Sequence, residues 1–385
     1  MQYKIKYGGA LIGKEEEKAI MSVVKRNWWP LADEGKKMEL EAAKFLNVKY
    51  GILANSGSSA GLLALSALEL PKGSKVIIPA VTFPTIFNII LQCGLVPVVV
   101  DCEIGTYNLN LKEVEHALKT IKNIKAIICV HALGNPVDMP RVMKLAKQHK
   151  LYVIEDNCDG WGGEIGGKKI GSFGDISFTS FHAAHIVAMG QGGGIFTSNA
   201  KLAKNVRMYR DWGRQSDLTS RTNRKWKSLP KDYDSRFIYE KVGYNLSPLE
   251  LQAAMGRVQL KKANRIKRLR QRNFNYLYSH LSKFPDLVMP KTVPGADVCW
   301  FSFPLSTIGK RGSLVAHLEK NGIETRSMFA GNITRHPAYA KSTYYKGSLK
   351  NADWILKHSF WVGVHPRMTQ KDREYMVKVF ADYYA

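Results

Sequence analysis

The stretch Ile176-Ser177-Phe178-Thr179-Ser180-Phe181-His182-Ala183-Ala184-His185-Ile186-Val187-Ala188-Met189-Gly190-Gln191-Gly192-Gly193-Gly194 decides how this chain is read. An apolar run leads into it, and glycines close it before Ile195-Phe196-Thr197. The pattern is strand, polar turn, glycine turn, strand. No lysine stands between Lys169 and Lys201. Taken alone, His185 is a packed histidine of this turn, and His182 carries no assigned role.

Outward from that stretch, strand and helix patterns alternate. Val76-Ile77-Ile78, Val96-Pro97-Val98-Val99-Val100, Ala126-Ile127-Ile128-Cys129-Val130 and Tyr152-Val153-Ile154 have strand character. Helical spacing fills 85–92, 111–122 and 140–149 between them. Continuous β-branched strands between helices imply a parallel-rich sheet covered on both faces. Such sheets bind ligands at the carboxyl ends of their strands, and the polar residues lie there. After the short strand Lys49–Asn55, Ser56-Gly57-Ser58-Ser59-Ala60-Gly61 opens a helix. Free N–H groups and the helix dipole make that opening an anion seat, although the same residues suit an ordinary N-cap. Pro79-Ala80-Val81-Thr82-Phe83-Pro84 ends another strand, with Phe83 either core or a stacking partner. Glu155-Asp156-Asn157-Cys158-Asp159 ends a third. An unpaired buried charge is costly, so Asp156 needs a helix cap, a salt bridge or a cationic ligand.

The flanks are read more coarsely. Residues 14–25 are helical, and Trp28-Trp29-Pro30-Leu31 breaks the pattern with two tryptophans that suit the core first and a pocket second. Residues 200–212 are helical, and Gly243-Tyr244-Asn245-Leu246 precedes a long helix running from near Ser247-Pro248 to about residue 282. Asn245 suits a turn before that helix. Its basic run, Arg257 to Arg272, has apolar partners Val258, Ala263, Ile266 and Leu269 at helical spacing and reads as a solvated face. Beyond it, Cys299–Pro304 is a strand, Leu314–Lys320 a helix and Phe360–Val364 an apolar segment. Two domains result: residues 1–255, a large α/β domain, and 256–385, the connecting helix with a small α+β domain. Arg326, His336 and His365 are candidates for facing a substrate.

The totals set bounds. With 385 residues and 45% apolar content the chain builds a sizeable core. No apolar run reaches the roughly 18 residues of a membrane span. Met1–Lys6 lacks the apolar core of a signal peptide, so a cytoplasmic protein with no membrane association is expected. Cys93, Cys102, Cys129, Cys158 and Cys299 include no CxxC pair and read as buried reduced thiols. The net charge of +25 is spread along the chain without a nucleic-acid motif, so no nucleic-acid partner is expected.

In combination, the 179–194 stretch, Ser56-Gly57-Ser58-Ser59 and Tyr244-Asn245-Leu246 resemble the cofactor segments of the sugar aminotransferases. These are pyridoxal-phosphate enzymes of fold type I acting on nucleotide-linked keto-sugars. The resemblance implies a mostly parallel seven-stranded sheet plus the small C-terminal domain. It implies pyridoxal 5'-phosphate held by Gly57, Ser58 and Ser180 at its phosphate, Phe83 over its ring and Asp156 at its ring nitrogen. Asn245 reaches the cofactor phosphate of a neighbouring subunit, which implies a homodimer with a shared active site. At position 185 the aminotransferases carry the lysine that tethers the cofactor; here it is His185. One branch shows that replacement, the 4-keto-6-deoxysugar 3-dehydratases, which use pyridoxamine 5'-phosphate. Asp159 agrees, because the aminotransferases usually have glutamine there and the 3-dehydratases an acid. The implied catalytic pair is His185 and Asp159. The implied substrate is a nucleotide-diphosphate 4-keto-6-deoxysugar that loses its C3 hydroxyl, with L-glutamate as amino donor.

Arg210–Arg214, Gly243–Leu246 and Gly331–Arg335 also resemble the iron–sulfur 3-dehydratases of CDP-linked sugars. Those enzymes hold their cluster with cysteines in the polar stretch after residue 214. Gln215-Ser216-Asp217-Leu218-Thr219-Ser220-Arg221 has none, so no iron–sulfur cluster is expected and the cluster-free GDP-linked branch is the better guide. An ordinary nucleotide-sugar aminotransferase, an iron–sulfur dehydratase with a reductase and a non-enzymatic cofactor-binding regulator remain as alternatives.

Overall fold

The computed structural model describes residues 3–215 and 226–385; the cysteine-free segment at 216–221 lies outside the described residues. Two N-terminal helices, α1 (Lys14–Arg26) and α2 (Asp33–Leu46), precede the sheet. Its strands and their connecting helices then follow in the expected alternation: β1 (Tyr50–Ala54), α3 (Gly57–Ser66), β2 (Lys75–Pro79), α4 (Pro84–Gln92), β3 (Val96–Val100), α5 (Leu111–Thr120), β4 (Ile124–Val130), α6 (Met139–His149) and β5 (Tyr152–Asp156). A two-residue hairpin, β6 (Glu164–Ile165) and β7 (Lys168–Lys169), leads to β8 (Ile176–Ser180), β9 (Gly193–Thr197) and α7 (Ala200–Arg210). The C-terminal third holds α8 (Glu250–Leu281), β10 (Leu287–Val288), β11 (Ala296–Asp297), β12 (Ser302–Thr307), α9 (Arg311–Lys320), β13 (Thr325–Ser327), β14 (Tyr345–Lys346), α10 (Lys350–His358), β15 (Ser359–Gly363) and α11 (Gln370–Tyr384).

The large sheet has the order β1-β9-β8-β5-β4-β2-β3-β14. Only β9 runs against its neighbours. Among the described residues the sheet has eight strands rather than the expected seven. The additional one, Tyr345–Lys346, comes from the C-terminal third and pairs with Val98 and Val99. It covers backbone groups that an open edge would leave unpaired. Alternate residues of each strand face opposite sides. Val76, Ile78, Val99 and Ile128 therefore join the α3–α4 side of the core. Ile77, Val98, Ile127 and Val153 join the α5–α6 side. Register brings Val130, Asp156 and Phe178 level at the carboxyl ends of three adjacent parallel strands.

A smaller antiparallel sheet, β10-β12-β15-β13, packs with α8, α9 and α11 around Phe274, Leu277, Phe303, Leu318 and Phe380. β12 begins at Ser302, three residues later than expected. The carbonyls of Trp300 and Phe301 accept from the Arg270 guanidinium, and the Phe301 N–H donates to Leu133, so these residues are taken out of the ladder. α8 is unbroken across 255/256, while Ile5 bridges to Ile323 and β14 returns to the large sheet. The division into residues 1–255 and 256–385 stands as a proposal.

Two further expectations are corrected. The basic run of α8 is not a wholly solvated face. Arg257 pairs with Glu34 and Glu41, Lys262 with Glu15 and Glu16, and Lys267 with Asp297. Arg270 is buried. α1 and α2 pack along α8 and supply most of these acids. Trp28 and Trp29 are 61% and 48% exposed and line no part of the cavity described below. Pro30 bridges to Leu249, which holds this turn at the surface of the α8 start rather than in the core.

Candidate active site

The carboxyl ends of the parallel strands open into a cavity of about 470 Å³. Gly57, Ser58, Phe83, Asp156, Asp159, Ser180 and His185 all line it. Asn245 does not; it is exposed and bridged to Asp211.

Asp156 forms the floor. The pleat of β5 turns it to the cavity and turns Glu155 the other way. Asp156 is 7% exposed, accepts the Cys158 N–H at 3.1 Å and has no ion pair among the described residues. Burial pushes its carboxyl up to about 6. Glu155, by contrast, accepts N–H groups from Gly171, Phe173 and Gly174, each at 2.7 Å. His131 Nε2 meets it at 3.1 Å. His131 Nδ1 accepts from the Val137 N–H, so Nε2 carries the proton donated to Glu155.

One wall is the start of α3. Ser56 caps the helix, its hydroxyl accepting from the Ser59 N–H at 3.0 Å. A Cβ on Gly57 would stand 2.6 Å from the Ser180 Cβ, so only glycine lets the helix start approach β8 this closely. Ser58 and Thr85 hydroxyls meet at 2.7 Å. First-turn N–H groups lack partners within a helix, and hydroxyls of Ser58, Thr85 and Ser180 surround this one.

The opposite wall is the loop between β8 and β9. Phe181 N–H donates to Gly192, Ala183 N–H to Gly190 and Met189 N–H to Phe181, which closes the loop on itself. Gly190 has φ 76°, a left-handed conformation suited to glycine. The loop carries His185, whose Nε2 lies 3.2 Å from Asp159 Oδ1. Its ring stands 5.2 Å from the Phe301 ring, and its Nδ1 is buried without a hydrogen-bond partner among the described residues. His182 also lines the cavity; burial and then His185 lower its pKa. Phe83 is the N-cap residue of α4, and its ring is 56% exposed at the cavity edge.

Of the three C-terminal candidates, Arg326 lines the cavity, where it pairs with Glu324 at 2.6 Å and lies over the Tyr7 ring. His336 and His365 stand outside the lining. His336 Nε2 bonds the Ala330 carbonyl, and His365 is pushed down to about 4 by burial. Tyr7, Thr85, His131, Phe301, Phe329 and Trp361 were not foreseen. Phe301 and Trp361 sit in apolar segments that read as strand and core, and Tyr7 is brought to the cavity by remote partners, the Ile5–Ile323 bridge and its own N–H bond to Glu324. Cys158, read as a buried thiol, is a partly exposed member of the lining. Among the described residues, no group of three or more His, Cys, Asp or Glu is placed to hold a metal ion, and no helix is long and apolar enough to cross a membrane.

The sequence profile of the DegT/DnrJ/EryC1/StrS aminotransferase family matches residues 10–381. The chain belongs to this family. Within the DegT/DnrJ/EryC1/StrS family it is similar to the dTDP-4-dehydro-2,6-dideoxy-D-glucose 3-dehydratase of Saccharopolyspora spinosa, at 37% identity over 99% of this chain and 87% of that one. The structure of Escherichia coli GDP-4-keto-6-deoxy-D-mannose-3-dehydratase with bound hydrated PLP matches with a TM-score of 0.91 and 28% identity, covering 99% of this chain and 100% of that one. A GDP-4-keto-6-deoxymannose-3-dehydratase with a trapped PLP-glutamate geminal diamine matches with a TM-score of 0.90 and 27% identity, covering 98% and 100%. The fold is that of the fold type I PLP enzymes, and solved relatives carry the cofactor expected from the sequence.

Proposed function

We propose that this chain is a pyridoxamine- and pyridoxal-phosphate-dependent 3-dehydratase of nucleotide-linked 4-keto-6-deoxyhexoses. The observation that carries the reading is the His185–Asp159 pair, 3.2 Å apart in the cavity, at a position where the resembled aminotransferases keep a tethering lysine. The residues fit the cofactor. Asp156 is a buried carboxylate without a cation, suited to a protonated ring nitrogen. Gly57, Ser58 and Ser180 form a small-residue seat at a helix start, suited to the phosphate. Phe83 offers an uncovered ring for stacking. When bound, the cofactor supplies the amine that joins the sugar ketone and a ring that accepts electrons.

The protein's part is proton handling and orientation. His185 Nε2 lies 3.2 Å from Asp159 Oδ1 as an ion-pair contact, and Nδ1 is buried without a hydrogen-bond partner among the described residues. The Asp159 carboxylate beside the ring supports the imidazolium formed when a proton is taken up. The same imidazole then delivers a proton to the departing C3 hydroxyl, so that it leaves as water. L-glutamate restores the amine in this proposal, and the relative trapped with PLP-glutamate supports it. A homodimer is also proposed. Exposed Trp28, Trp29, Trp212, Phe237 and Leu249 support an interface, across which Asn245 would reach the neighbouring cofactor.

The test is to incubate the protein with pyridoxamine phosphate and a panel of GDP-, CDP- and dTDP-linked 4-keto-6-deoxysugars. Loss of water by mass is expected for at least one sugar, and no mass change with any sugar overturns the reading. Borohydride fixation of pyridoxal phosphate to a lysine of the native protein would instead make it an aminotransferase. Bound iron required for turnover would make it an iron–sulfur dehydratase. His185→Lys should abolish dehydration, and unchanged dehydration removes the histidine from the mechanism.

A further inference from the structure

Arg270 is the buried cation that the proposed chemistry leaves unused. It lies on the core stripe of α8 with Ala263, Ile266, Phe274 and Leu277, and is 1% exposed. It has no carboxylate within salt-bridge distance among the described residues; its partners are backbone carbonyls. Nη1 donates to Phe301 O at 2.5 Å and, more loosely, to Trp300 O at 3.4 Å. Nη2 donates to Ala184 O at 3.2 Å. Burial brings its pKa down to about 10, which leaves it charged at neutral pH.

Ala184 is the residue before His185, and the Phe301 ring faces the His185 ring at 5.2 Å. One guanidinium therefore ties the backbone that enters His185 to the backbone that carries the wall beside its ring. Gly8 backs Ala184 from a third segment; a Cβ there would stand 3.1 Å from the Ala184 Cβ. A cation in this place is expensive, and an apolar side chain of similar volume is often at least as stabilising. A planar fork with several fixed donors holds carbonyls of two separate segments at once with less freedom than a lysine ammonium.

We propose that Arg270 is the positioning residue of His185, holding the imidazole against Asp159 by fastening the Ala184 and Phe301 carbonyls. This rests on the dehydratase reading for its effect on turnover, but not for its effect on the imidazole itself.

The experiment compares Arg270→Lys and Arg270→Met with the wild type, alone and combined with His185→Asn, in the cofactor-loaded enzyme. In Arg270→Lys, kcat should fall by about 10²-fold, the size of loss that accompanies misplacement of a reacting group by about 1 Å. KM for the nucleotide-sugar and the cofactor Kd should change less than about threefold. In the His185→Asn background the Lys substitution should leave the residual turnover unchanged, because the positioned group is gone. Equal losses in both backgrounds would make Arg270 merely structural and overturn the proposal.

A second measurement needs no turnover. The His185 ring signals, assigned by their loss in His185→Asn, should form one sharp set in the cofactor-free wild type and should shift or broaden in Arg270→Lys. Unchanged ring signals overturn the proposal even if kcat falls. If the wild type turns over none of the sugars, the function proposed above fails, and the ring signals alone decide this one. Should Arg270→Met fail to fold, the Lys variant carries both measurements.

Discussion

Glu155 and Asp156 are consecutive carboxylates on one buried strand, yet the two faces of β5 treat them differently. Glu155 is fully enclosed and accepts three backbone N–H groups besides facing His131. It holds the 171–174 turn against the sheet. Asp156, one residue on, accepts a single N–H and looks into the cavity. The chain has satisfied one acid internally and left the other for something from outside. A folded protein keeps a poorly compensated buried carboxylate only at a cost, and such groups mark functional sites.

The sharpest way to break this contrast is Glu155→Ala. It strands three N–H donors and a histidine in the interior, and should cost about 3–5 kcal/mol of folding stability with or without cofactor. Denaturant melts would measure it. A loss under about 1 kcal/mol would mean that Glu155 is not the structural member of the pair.

Asp156→Asn should do the opposite to the cofactor-free protein. The folded Asp156 carboxyl ionises near 6 and the unfolded one near 3.8. Between those values the unfolded chain loses this proton and the folded chain keeps it. Stability from this residue therefore falls as pH rises from about 4 to about 6 and stays low above, by up to about 3 kcal/mol. The Asn variant should lack that slope when both proteins are melted from pH 4 to 7. With cofactor present, the same variant should lose about 10²–10³-fold in turnover through the missing charge at the ring nitrogen.

Phe83→Ala tests the cavity edge and should have the smallest effect. Its ring is already 56% exposed, so the melting midpoint should stay in place. Cofactor Kd should rise about 2–10-fold, the value of a ring-stacking contact of about 0.5–1.5 kcal/mol. A melting shift larger than the affinity change would put Phe83 with the core.

How far these features were legible depends on the range over which their cause acts. The strands at 76–78, 96–100, 126–130 and 152–154 and the helices between them emerged within a few residues of expectation, because side-chain periodicity is local. Gly57, Ser180 and the 190–194 glycines were legible because a close approach or a left-handed turn demands small residues. Trp28 and Trp29 misled because two large apolar rings suit a core in isolation, whereas the Pro30–Leu249 bridge and the Glu250 N–H bond to the Trp29 carbonyl hold this turn at the surface. The start of β12 was misplaced because Trp300 and Phe301 give their carbonyls to Arg270. Arg270 itself was hidden in a basic run where charge suggested solvent, although its spacing from Ile266 and Phe274 put it on the buried stripe.

By itself the sequence determined the alternating α/β layers, the glycine-closed turn and the presence of an imidazole, His185, inside that turn. Tertiary structure alone decided that this imidazole meets Asp159 at 3.2 Å, and that a guanidinium 86 residues away from Ala184 fastens the turn from behind. The reason is one of distance along the chain. Propensity and periodicity are properties of a few consecutive residues, whereas the pairing of remote side chains follows from strand register and close packing, which no single stretch contains.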